Sequence, residues 1–112
     1  MLLTLKNKND GHTMMYYSII CRDTKDSHTK RQVLRKAHTA RLEQLRNQKR
    51  LLVAGPYFEK DNTNHSANNI LGSIIIAQFS SLAEAKSWIA ADPFVTAEVY
   101  CNITVNTFKP IE

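Results

Sequence analysis

The stretch ILGSIIIAQFSSLAEAKSWIAADP, residues 70–93, decides the fold. Its first ten residues, Ile70–Phe79, are a β-branched and apolar run, which reads as a buried strand. Ser81 and Glu84 then form a capping box. The hydroxyl can accept the Glu84 N–H while the carboxylate reaches back to the helix start. The helix it opens runs to about Ala91, with Leu82, Ala85, Trp88 and Ile89 on one face. Asp92-Pro93 starts a further short turn or helix, with Asp as cap and Pro in the first position.

Upstream the same strand-to-helix order recurs. Met15–Arg22 (MYYSIICR) is rich in Tyr and Ile and ends at the polar stretch Asp23–Ser27, so it reads as the first strand. Ser27 or Asp26 offers the N-cap of the helix that follows. From Thr29 to Gln48 there is no Gly or Pro, and Leu34, Ala37, Leu42 and Leu45 recur at helical intervals. Arg50–Gly55 (RLLVAG) is a second strand, stopped by Gly55-Pro56. A polar, Asn-rich loop over residues 59–69 leads into Ile70–Phe79, and it is long for a hairpin connection. Cys101–Phe108 alternates Ile103, Val105 and Thr107 with Asn102, Thr104 and Asn106, as a final strand does.

The order is therefore β-α-β-β-α-β, an α+β, ferredoxin-like plan with an antiparallel sheet in strand order 4-1-3-2. Both helices fall on one sheet face. Tyr, Ile and Val supply both faces of the strands, so the second face would expose a large apolar patch. Pairing sheet to sheet with a second copy removes it, and a homodimer is expected.

Bulk composition agrees with one domain. The chain has 112 residues, 43% hydrophobic and 22% charged, which excludes a disordered or low-complexity class. Residues 1–14 read as a flexible extension ahead of a domain spanning 15–112. They lack the apolar core of a secretory signal, and no run approaches a membrane span, so a cytoplasmic protein without a membrane partner is expected. The net charge of +5 is concentrated: residues 30–50 hold eight basic side chains against Glu43 alone. Basic residues interleaved with Leu describe a solvated amphipathic helix. No recognition motif accompanies them, so nucleic acid is the least favoured partner.

Cys21 and Cys101 fit no metal spacing. In this strand order they fall near one another, as ordinary strand cysteines or as a reactive pair. His12, His28 and His65 show no ligand spacing either. Neither a metal nor another cofactor is expected.

His38 is the residue on which chemistry could rest. It projects at the edge of the Leu34–Leu42 stripe, and Arg31 and Arg35 share that side of the helix. An imidazole titrating near neutrality beside fixed cations can exchange protons with an anionic substrate. The competing reading is a half-buried, hydrogen-bonded histidine beneath a solvated face. Asp92 is the candidate carboxylate, and helix capping alone accounts for it too. Gly55-Pro56 either brings backbone close to a ligand or simply ends a strand.

Taken in order, Asp26-Ser27, Lys30-Arg31, Arg35, Ala37-His38 and Ala40-Arg41-Leu42 resemble the first helix of YciI-like (YCII-related) proteins. Arg50–Pro56, Gly72-Ser73 with Ile74–Phe79, Ser81-Leu82, Trp88, Ala91–Phe94 and Val99-Tyr100 continue the likeness as far as about Ile111. The resemblance implies a ferredoxin-like fold that dimerises into an α/β barrel, with His38 and Asp92 as a His–Asp active pair. Arg31, Arg35, Ser27, Gly55 and Pro56 would be its substrate contacts. It further implies kinship with muconolactone isomerases and dehalogenases, hence isomerisation or elimination on a small anionic metabolite. A non-catalytic ligand-binding domain is the alternative. The chain departs from the family at Lys36, where Pro is frequent, and at Lys49, where Gly is common.

Overall fold

The structure, a computed structural model, describes residues 5–6, 13–59, 66 and 69–111. The Asn-rich loop and the N-terminal extension lie largely outside the described residues. The elements are β1 (Thr13–Asp23), α1 (His28–Asn47), β2 (Leu51–Phe58), β3 (Ile70–Phe79), α2 (Leu82–Ala90), α3 (Pro93–Thr96) and β4 (Tyr100–Thr107). All neighbouring strands are antiparallel, in the order β4-β1-β3-β2. Leu5–Lys6 adds a two-residue pairing against Thr13 and Met14. This is the ferredoxin-like α+β fold, with α3 as an added turn.

Strand alternation sorts the sheet into two faces. Tyr17, Ile19 and Cys21 of β1 and Ile75, Ala77 and Phe79 of β3 meet the helices. Leu45, Ala85, Ile89, Phe94, Val99 and Tyr100 complete that core. The next residues along the same strands point the other way. Ile19 is fully buried, whereas Ile20 is 43% exposed and Val53 of β2 is 52% exposed. The apolar second face is thus a property of the single chain.

Several local expectations change. β2 does not stop at Gly55-Pro56 but runs on to Phe58, with Pro56 opposite Ser73. β2 is an edge strand, where half the N–H groups face no partner and proline is tolerated. Ser27 occupies the N-cap position of α1 without capping it; its hydroxyl donates to Asp23 Oδ2 at 2.6 Å. The Ser27 backbone is helical, φ −76° and ψ −14°, where a capping residue is extended. At α2, Ser81 Oγ does accept the Glu84 N–H at 3.0 Å. The Glu84 carboxylate reaches one residue further back than a capping box requires, to the Ser80 hydroxyl, and also accepts from Arg50 at 2.9 Å. Lys49 has φ 59°, the left-handed turn that ends α1, which explains physically why glycine suits this position.

The two thiols are both free and do not oppose one another. Cys21 lies across from Ile103, and an irregularity at Arg22/Asp23 shifts the register before Cys101. Burial first, then the charge of Asp92, pushes the Cys21 thiol up to about 12. Cys101 is exposed, its Sγ 3.4 Å from the Asp23 carbonyl.

Candidate active site

The buried residues of α1 are Arg31, His38 and Leu45. Their heptad spacing nearly superposes them along one line of the helix, with only about 20° of drift per repeat. Polar groups therefore occupy the centre of the packed face, while Leu34 and Leu42 flank it as half-buried neighbours. The imidazole of His38 meets Asp92: Nδ1 is 2.9 Å from Oδ1 and 3.1 Å from Oδ2.

Asp92 does two jobs at once. As N-cap of α3 it accepts the Phe94 N–H on Oδ1 at 3.0 Å. Its other oxygen accepts from Arg41 Nη1 at 3.0 Å. Arg41 is itself fixed by the Trp88 carbonyl at 2.8 Å and by the indole, 4.2 Å beneath its guanidinium. The carboxylate is fully buried. Burial alone would raise its pKa, but the bond and attraction to His38, the Phe94 N–H and Arg41 outweigh it and hold the group below its ordinary range. An ionised carboxylate can only accept, so His38 carries a proton on Nδ1, directed at Asp92. The imidazole also stacks on Phe94, centroids 4.1 Å apart at 14°.

A second network meets the same ring, with Arg31 lying 5.0 Å over Phe94. Arg31 grips Asp23 with two bonds, Nε to Oδ2 at 2.6 Å and Nη2 to Oδ1 at 2.8 Å, and donates to Ser73 Oγ at 2.7 Å. Tyr100 packs edge-on against Phe94, and its buried hydroxyl closes no hydrogen bond. Ser73, which accepts from Arg31, is the polar side chain beside it.

The sequence model of the YCII-related domain matches residues 15–109. The chain belongs to the YCII-related domain family. An uncharacterized protein of Haemophilus influenzae is 44% identical over 97 residues, covering 87% of this chain and 99% of its own. Protein YciI of Escherichia coli is 43% identical over the same length and shares. Among solved structures, the 5-chloro-2-hydroxyhydroquinone dehydrochlorinase TftG of Burkholderia phenoliruptrix, in complex with 2,5-dihydroxybenzoquinone, matches with TM-score 0.75. It is 28% identical, and the match covers 85% of this chain and 94% of that one.

Within this YCII-related fold, the named candidates separate. His38 and Asp92 stand in direct contact. Arg31 and Ser27 are adjacent in space, both turned onto Asp23. Arg35 is exposed on α1 and makes no contact with either member of the pair among the described residues. Gly55 sits on the opposite sheet face, in register with Ile74, and a Cβ there would meet nothing within 4 Å. Pro56 lies one strand outside Ser73. Arg41, Asp23 and Ser73 escaped the sequence reading as site members. Arg41 carried one usable signal, its place three residues after His38 on the same helix side.

Proposed function

We propose that this YCII-related protein is an acid/base catalyst that isomerises, or eliminates a leaving group from, a small anionic ring compound. The carrying observation is the buried Asp92 carboxylate, which holds more partners than a helix cap needs. A cap requires one acceptor for one N–H; Asp92 also fixes the tautomer of His38 and binds Arg41. In the proposed step, Nε2 of His38 removes a proton from the substrate. The released electron pair either expels a halide or another anion, or is reprotonated at a different carbon. The imidazolium so formed is stabilised by Asp92. Arg41 and Asp92 cancel in charge, so protonated His38 leaves the cluster at +1 beside the anion it has just generated. The named reaction of TftG, a dehydrochlorination, belongs to this class.

The first substrate to test is therefore 5-chloro-2-hydroxyhydroquinone, with chloride release as the readout. The wild type is expected to turn it over. His38→Gln, whose side-chain amide can still donate to Asp92, should lose about 10²–10⁴-fold with only a small drop in its thermal melt. Equal chloride release from the variant would end the acid/base reading. Saturable binding of 2,5-dihydroxybenzoquinone with no conversion of any such compound would favour a ligand-binding domain instead.

The active form is proposed to be a homodimer closed through the open sheet face. Ile20 and Val53, 43% and 52% exposed, support this, since patches of this kind on soluble proteins mark interfaces. Light scattering at micromolar concentration should report twice the 12.8 kDa chain mass. A monomeric mass would remove the dimer from the reading.

A further inference from the structure

The open sheet face carries a second feature, unconnected with the His38–Asp92 pair. The ladder between β1 and β4 sets Arg22 opposite Asn102 and Ile20 opposite Thr104. With Tyr57 of β2 these four side chains line a cavity of about 400 Å³, within the usual size range of small-molecule sites. Its Tyr57 wall is built rather than incidental. The side chain crosses β3 at Gly72 and donates its hydroxyl to the Cys21 carbonyl on β1 at 3.2 Å. A Cβ at Gly72 would stand 1.9 Å from that carbonyl and 2.7 Å from the phenol oxygen. Only glycine lets the ring lie where it does.

Charge makes the cavity selective. The lining of this cavity carries no acidic side chain and Arg22 is its one charged group; the acids that share a pocket with Arg22, among them Glu59 just past β2, lie in the adjoining cleft. A guanidinium presents a planar fork of donors that matches a carboxylate or a similar delocalised anion. Ile20 and the Tyr57 ring offer apolar contact on either side, and Asn102 and Thr104 add hydrogen-bonding groups.

We propose that this cavity is a binding site for a small planar organic anion, its acid group on Arg22 and its flat body against Tyr57 and Ile20. Cys21 faces the helices and Arg22 the opposite side, so the sheet separates this site from His38 and Asp92. The site does not depend on the acid/base reading. The cavity lining gives Arg22 no acidic partner, so where two copies close over this face an enclosed anion would stabilise the pair by neutralising a charge taken out of water.

Benzoate is the probe, with the neutral isostere benzamide as control, followed by amide chemical shifts of the intact protein. Saturable benzoate binding is expected to move the amides of Arg22, Tyr57, Asn102 and Thr104, with benzamide leaving them in place. Arg22→Gln should weaken binding by about tenfold or more, the usual worth of a charge-assisted bond, with an unchanged melting curve. His38→Gln should bind benzoate as the wild type does. Undiminished binding by Arg22→Gln overturns the site, and so does a failure to saturate in the millimolar range. Shifts centred on Phe94 and abolished in His38→Gln would also overturn it, and would move the anion to the candidate active site.

Discussion

Asp92→Ala is expected to lose about 3–5 kcal/mol of folding stability, the usual effect of removing one partner of a buried charged pair. Three groups lose their acceptor together: the Nδ1–H of His38, the guanidinium of Arg41 and the backbone N–H of Phe94. Urea unfolding followed by circular dichroism measures it. A loss near 1 kcal/mol, typical of a helix cap alone, would mean that the carboxylate does little beyond starting α3. Asp92→Asn keeps an oxygen for the Phe94 N–H and should lose less. The same group sets an acid limit. Its pKa is held below the ordinary value, so its stabilisation is complete above the normal carboxylate range and is lost as pH falls through the folded-state value. The wild-type melting temperature should therefore drop below about pH 4, and Asp92→Asn should show a shallower drop. Parallel acid curves for the two proteins would place the acid sensitivity elsewhere.

Asp23→Ala is the second large effect. The Arg31 side chain is 10% exposed and that of Asp23 3%, so the substitution strands a guanidinium that water can hardly reach. The expected loss is again about 3–5 kcal/mol. Ser73 remains bonded to Nη2, but a neutral hydroxyl cannot replace a bidentate carboxylate. Removing both charges separates the mechanisms. Asp23→Ala combined with Arg31→Met should recover much of the loss, because an apolar pair is tolerated where a half-pair is not. A single variant losing under 1 kcal/mol, with no recovery in the double, would show that Arg31 finds solvent easily. It would then be available to a substrate, as the sequence reading supposed.

Local pattern carried far in this chain. The β-branched run of Ile70–Phe79 and the gap-free segment from residue 29 to 48 became β3 and α1 with boundaries shifted by a residue at most. Even the strand order followed, since two strand-helix halves around a hairpin have few antiparallel solutions. Pro56 misled because a proline ends a central strand but not an edge one, and edge status depends on the whole sheet. Ser27 misled because its hydroxyl found Asp23, four residues back.

The site divides in the same way. His38 and Asp92 could be named from residue type and helix position, and the fold set their side chains in contact. Their third partner, Arg41, could not be chosen in advance from eight basic residues on one segment. Nor could Arg31 be assigned to Asp23, or Arg35 to solvent. By itself the sequence determined the elements and their order, because helical and strand periodicities are written in neighbouring residues; the pairing of His38 with Asp92 came from the family resemblance. Only the tertiary structure decided which cation meets which acid, which thiol is buried and what faces Arg22 across the open sheet. Those choices depend on distances between segments 50 to 80 positions apart, such as 38 with 92 or 22 with 102, which no local period encodes.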